Sequence, residues 1–371
     1  MCPGSTYEGI TYCICLVPEL IEHYIPSLIF AGEVEVNELE AYAGLLGQDI
    51  YANLPSQTEK ILFEGAGSGH GTSESPYGEV GNYALAFMNH YVLDYNRELA
   101  SNFFPQSKEV IRFYEKYFGD YQWYEDGYKL IEVPYLGMEH QSAVTYGNGF
   151  SMYNGVRSKS WPMYGVIDPL IIHETGHEWF GNSVTASDPT HIWIHEGLQV
   201  YSEALYFEDK FKSYQIGVHY LNTLKNRIVN EIPIVGRENE NHWALHGDTY
   251  MKGAWVMHTL RSVINNDDIW FKILNEFMTE NAKGFADTRD FFNKVKEKTG
   301  TDFWYFAKQY FYSPNQPQLE YYQTASKYYY RWNNVNNDFI MPIDLLVNGK
   351  ERRVIPSTKF QSFEISKPIL C

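Results

Sequence analysis

Cysteine is scarce in this chain. Four cysteines among 371 residues make no disulfide framework at this length. Cys2, Cys13 and Cys15 crowd the start, and Cys371 is the last residue. A metal site built on Cys13-x-Cys15 needs a second pair, and none lies nearby. Half-buried or incidental thiols are the simpler expectation. Long apolar runs are also lacking. The stretch from Gly9 to Pro18 is broken by Glu19 and Glu22, whereas a membrane-spanning helix needs about 20 apolar residues. No transmembrane segment is expected. Positive charge is short as well, with 29 Lys and Arg against 46 Asp and Glu, a net charge of −17. That excludes nucleic acid as the main partner, because phosphate binding needs a basic face. It disfavours an anionic membrane surface for the same reason. No Lys or Arg precedes Lys60, and a signal peptide needs a basic start. The expectation is a soluble chain of the cytoplasm or periplasm.

What is present is globular. The chain is 44% hydrophobic and 17% aromatic, rich enough to build a core and long enough for about two or three domains. Its charge is uneven. Residues 1–96 hold thirteen acids and the single base Lys60, an asymmetry that often marks a boundary. Residues 1–85 carry no chemical motif. Asn37 to Leu46 reads as a short helix, and the Gly-, Ser- and Glu-rich run from Glu64 to Gly81 as a loop. Helical pattern starts near Asn82 with NYALAFMNHYVLDY and returns from Ser107 to Phe118. YKLIEVPYLGMEHQSAVTYG reads as two short strands joined by a turn at Leu136-Gly137. Residues 250–311 hold several amphipathic helices. After Pro317 the pattern turns to strands, with Asn348-Gly349 between apolar runs as a hairpin signal. The expected fold class is α+β, mainly helical. An unassigned acidic segment (1–85) precedes a mainly helical domain (86–312), the one the resemblance below implies is catalytic, and a small C-terminal β module (313–371).

Residues 168–182, DPLIIHETGHEWFGN, are the most informative. Asp168 is a good helix N-cap and Pro169 suits the first helical position. Gly181 and Asn182 are good stop residues. Between them lies His173-Glu174-Thr175-Gly176-His177, an HExxH pattern. Positions four apart share one helix face, so both imidazoles can meet one zinc ion. Glu174 sits beside them, placed to reach a water at the metal rather than the metal itself. A catalytic zinc site needs a third protein ligand. Glu196 follows His177 with eighteen residues between, at the entry to a second helix. The metzincin extension is excluded, since Phe180 and Ser183 stand where Gly and His are required. His195 neighbours Glu196 but points elsewhere on a helix. Glu203, two turns beyond Glu196 on the same face, is placed to accept the outer N–H of a zinc-bound imidazole, or else is an exposed helix carboxylate.

These residues resemble the zinc aminopeptidase family of aminopeptidase N and leukotriene-epoxide hydrolase, gluzincins with HExxH, eighteen residues, then Glu. The flank HEWFGN is similar to the family's. So is YLGMEHQSAVTYGN upstream, with Gly137, Met138, Glu139 and His140, where His replaces the commoner Asn. Tyr250-Met251-Lys252-Gly253 resembles the family's Tyr-x-Lys-Gly helix opening. The resemblance covers about residues 85–365. It implies a thermolysin-like catalytic domain binding one Zn2+, with peptides bearing a free N-terminus as substrates. It implies Tyr250 as the donor to the oxyanion, and Gly137, Met138, Glu139 and His140 as substrate-binding residues. Glu139 would pair with the substrate α-ammonium. His195 stands where the family often has Asn. The family's usual N-terminal β-domain is not recognisable in residues 1–85. The implied function is a zinc aminopeptidase with Glu174 as general base. The alternatives are a gluzincin endopeptidase, a lipid epoxide hydrolase, and a zinc-binding but catalytically incomplete fragment or scaffold.

Overall fold

A computed structural model describes residues 5–7, 10–16, 88–148, 150, 167–240, 246–347 and 350–365. The expected helix at 37–46 and loop at 64–81 lie outside these residues. The described chain opens with two strands, β1 (Ser5–Tyr7) and β2 (Ile10–Leu16). Next come β3 (Met88–Tyr91), α1 (Arg97–Phe103) and α2 (Gln106–Phe118). The helix expected from Asn82 is thus corrected from residue 88 onward. Met88–Tyr91 is extended because it pairs in parallel with β4 (Tyr128–Glu132), a long-range contact invisible to local periodicity. The expected helix at 107–118 is present as α2, burying Val110, Ile111, Phe113, Tyr114 and Phe118.

Three strands, not two, follow α2. They are β4, β5 (Gly137–Met138) and β6 (Val144–Tyr146), in a four-stranded sheet of order β3-β4-β6-β5. Gly137 therefore belongs to a strand rather than a turn. β5 is the antiparallel edge strand, with Gly137 opposite Tyr146 and Met138 opposite Thr145.

Helix α3 (Pro169–Gly176) is buried on nearly every side. Asp168 caps it, accepting from the Leu170 N–H at 3.0 Å and from the Tyr146 hydroxyl at 2.5 Å. The helix ends earlier than its Gly181-Asn182 signal suggests. The Trp179 and Phe180 N–H groups both return to the Gly176 carbonyl, turning two large side chains into the core. Gly181 then takes φ +114°, a left-handed conformation that glycine tolerates.

Strand β7 (Val184–Ala186) leads to α4 (Trp193–Phe211), then α5 (Tyr214–Leu224) and α6 (Gly247–Ile264). α7 (Asp267–Glu280), β8 (Gly284–Ala286), α8 (Thr288–Thr299) and α9 (Trp304–Tyr310) complete the helical part. β8 pairs in parallel with β7. Strands β9 (Gln318–Gln323), β10 (Lys327–Asn333), β11 (Ile343–Val347), β12 (Lys350–Val354) and β13 (Gln361–Glu364) follow. β11 and β12 pair antiparallel across positions 348–349. β2 pairs with β9 in a five-stranded sheet of order β1-β2-β9-β10-β13.

Candidate active site

α3 and α4 bring His173, His177 and Glu196 together, as their spacing suggested. Each offers one ligand atom, and these atoms lie within 4.8 Å of one another. The His173 and His177 Nε2 atoms are 3.2 Å apart. They stand 3.5 and 3.4 Å from Glu196 Oε2. The other ring nitrogens set the tautomers. His173 Nδ1 lies 2.7 Å from Glu203 Oε1, and His177 Nδ1 lies 2.8 Å from the Phe180 carbonyl. Both positions face acceptors, so each Nδ1 carries its hydrogen and each Nε2 presents a lone pair inward. With both rings neutral, three lone-pair donors thus aim at one point. Glu196 Oε2 is buried without a hydrogen-bond partner among the described residues. Two imidazoles and a carboxylate suit zinc, and the orphaned oxygen fits a cation at this point.

The same geometry governs protonation. Burial opposes charge on His173, but the neighbouring Glu196 and Glu203 carboxylates outweigh it and raise its pKa well above the ordinary value. Burial would raise Glu196, yet the two imidazoles hold it far below the usual carboxylate range. The cluster therefore attracts positive charge.

Glu174 is buried beside the cluster, and its Oε2 has no hydrogen-bond partner among the described residues. Burial lifts its pKa to about 7, against the pull of the two histidines. Gly137 of β5 lies over it, and a Cβ there would come within 2.6 Å of Glu174 Oε1. Gly137, Met138, Glu139, Glu174, Tyr220, Tyr250 and the turn residue Arg227 share one cavity of about 570 Å³ with the metal cluster. The Tyr250 ring stacks at 6.4 Å from the His173 ring. Glu139 is held through its backbone, whose carbonyl accepts from Asn182 Nδ2 at 3.0 Å.

Two neighbouring histidines lie apart from this set. His140 is exposed and does not line the cavity; β5 has ended, and the chain turns away with the Ala143 N–H bonded to the His140 carbonyl. His195 Nε2 accepts from the Ala186 N–H at 2.8 Å, and burial lowers its pKa to about 4. It braces β7 and takes no place in the metal cluster.

Sequence reasoning missed two supporting groups. Tyr220 of α5 donates to Glu203, and nothing in the local pattern marks it. Glu178 is buried and accepts from the Ser142 N–H at 2.6 Å and the Tyr121 hydroxyl at 3.3 Å. It ties the segment after Glu139 to the turn after α3. Its place next to His177 was the available signal.

Residues 104–310 match the peptidase family M1 domain. The chain belongs to peptidase family M1. Among curated relatives, this M1 chain is 23% identical over 286 residues to probable aminopeptidase 2 of Sulfurisphaera tokodaii, covering 71% of itself and 36% of that protein. It is 27% identical over 195 residues to human endoplasmic reticulum aminopeptidase 2, covering 48% of itself and 20% of the relative. The M1 chain thus spans about a third or less of these relatives' length. Native yeast LTA4 hydrolase shares its fold with a TM-score of 0.50 at 19% identity, over 62% of this chain and 38% of the other.

Proposed function

We propose that this M1 domain is a zinc aminopeptidase that releases the N-terminal residue of peptides. The observation that carries the reading is a single cavity holding the His173–His177–Glu196 cluster, Glu174, Glu139 and Tyr250 together. Residues 86–312 act as its catalytic domain and 313–371 as a β module.

His173, His177 and Glu196 hold the metal, and Glu203 orients His173. Zinc bound there supplies Lewis acidity, which makes water a nucleophile near neutral pH and polarises a carbonyl. Glu174 accepts the attacking water's proton and delivers it to the leaving amine. Tyr250 donates its phenolic O–H to the oxyanion that develops on the former carbonyl oxygen. Glu139 pairs with the substrate's α-ammonium, fixing the first peptide bond over Glu174. Gly137 leaves room for the substrate backbone beside the Glu174 carboxylate. Met138 supplies apolar contact at the same wall. His140 has no part in this reading.

The test is hydrolysis of aminoacyl-arylamides by zinc-loaded protein, beside N-acetylated versions and a Glu174→Ala control. The expected outcome is cleavage of free-amine substrates alone, lost in the control. Removing the ammonium leaves Glu139 unpaired, at a cost of about 1–3 kcal/mol, so acetylated substrates fall behind by about 5- to 150-fold. Equal cleavage of both would make the enzyme an endopeptidase. Zinc binding without cleavage of either would leave a metal-binding scaffold.

A further inference from the structure

The charged groups lining the cavity are mostly carboxylates: Glu139, Glu174, Glu196 and Glu203 all face it. Two of the four already face the histidines. Against them stands one guanidinium, that of Arg227. Its side chain is exposed, and it makes no hydrogen bond or ion pair among the described residues. Arginine's planar fork matches a carboxylate better than any other side chain.

The position of Arg227 is built rather than incidental. It ends a short 3₁₀ turn, Lys225–Arg227, directly after α5. The next segment is clamped to the first turn of α6. Buried Asp248 accepts from the Val229 N–H at 2.7 Å and from the Asn230 N–H at 2.6 Å. Gly247 packs against the Arg227 carbonyl, at 4.0 Å from an ideal Cβ. Arg227 is therefore fixed to the helix that carries Tyr250. Glu139, by contrast, comes from the β5 wall.

We propose that Arg227 is a carboxylate anchor. It binds a negative group on the leaving-amine side of the scissile bond, while Glu139 binds the ammonium on the other side. The inference rests on the peptide-binding part of the proposed function. A peptide held at both ends spans the metal cluster. The chemistry recognised is a carboxylate, from one of two sources: the C-terminus of a short peptide, or an acidic side chain after the cleaved bond.

Binding without turnover tests this. Zinc-loaded Glu174→Gln protein is titrated calorimetrically with Leu-Ala and Leu-Ala amide, then with Leu-Asp-Ala amide and Leu-Asn-Ala amide. The same titrations are made with Arg227→Gln added. The expected result is a preference of about tenfold for the carboxylate member of at least one pair. That preference falls to about one when Arg227 is replaced, and Arg227→Lys restores part of it. The pair that discriminates identifies the source. Equal affinities within both pairs, or a preference that survives Arg227→Gln, would overturn the proposal. Arylamide hydrolysis by the unsubstituted protein separates the two readings. An Arg227-dependent preference without hydrolysis would leave the anchor standing and remove the aminopeptidase reading.

Discussion

At the scale of single residues, the His173–His177–Glu196 cluster depends on groups outside it. Glu203 holds His173 Nδ1 at 2.7 Å and receives the Tyr220 hydroxyl. Without Glu203, the His173 ring loses the acceptor that fixes its tautomer and angle. Outer partners of this kind commonly contribute about 10–100-fold to metal affinity. Glu203→Ala is expected to weaken zinc binding by that order, read by competition with a chromophoric chelator. Glu203→Gln keeps an acceptor oxygen and should lose less. Tyr220→Phe leaves the carboxylate on His173 and should lose least. Unchanged zinc affinity in Glu203→Ala would show that the helix backbones alone set the ligand geometry.

At the scale of elements, the site is placed by how closely α4 and α6 approach. Gly197 follows Glu196 directly, and Gly253 lies three residues after Tyr250. A Cβ on Gly253 would stand 2.9 Å from the Gly197 Cα, and one on Gly197 would stand 3.0 Å from the Thr249 carbonyl oxygen. The two helices touch backbone to backbone there. Gly253→Ala must push them apart, at about 1–3 kcal/mol of stability, and shifts Tyr250 relative to Glu196. We expect a lower melting temperature together with a reduced kcat on arylamides. Gly247→Ala is the matched control, since a Cβ there meets nothing closer than the Arg227 carbonyl oxygen at 4.0 Å, an ordinary contact. A Gly253→Ala protein as stable and active as this control would mean that the helix pair adapts freely. The same elements show what a sequence can reveal. The start of α3 is written locally in Asp168 and Pro169, and α2 in its apolar stripe. Glu196 is marked by the eighteen residues between it and His177, and Glu203 by helical spacing from Glu196. The end of α3 is not written locally, because Trp179 and Phe180 are drawn into the core by partners far along the chain. β3 reads as helical until its pairing with β4 is known. Arg227 carries no local signal, since the clamp that places it joins Val229 to Asp248, nineteen positions further along the chain.

At the scale of the whole molecule, the described residues from Met88 onward share one continuous core. It runs from Met88 through α3, α4 and α6 to Trp332 and Phe363. The late strands are joined to the helices by Arg353 of β12, which donates to the Ser262 and Val263 carbonyls at the end of α6 and pairs with Asp344. A buried group in such a core titrates against the stability of the whole fold. His258 of α6 is buried among Tyr201, Tyr214 and Trp255, with Nε2 3.2 Å from the Tyr214 hydroxyl. Burial first, then the Arg261 charge, lower its pKa to about 3, with Asp267 opposing. The folded chain thus leaves His258 neutral while the unfolded chain protonates it below about 6.5. Stability from this group is present above that value and drains as pH falls towards 3. The loss between pH 7 and pH 5 is about 2 kcal/mol. The acidic surface acts the other way, since a chain of net charge −17 sheds self-repulsion as carboxylates protonate. The surface contribution is the same in a variant, so a comparison isolates the buried one. His258→Gln should be less stable than the parent at pH 7 by denaturant unfolding, and the gap should narrow by about 2 kcal/mol at pH 5. A gap that stays constant would mean that water reaches His258 and that its proton affinity is ordinary.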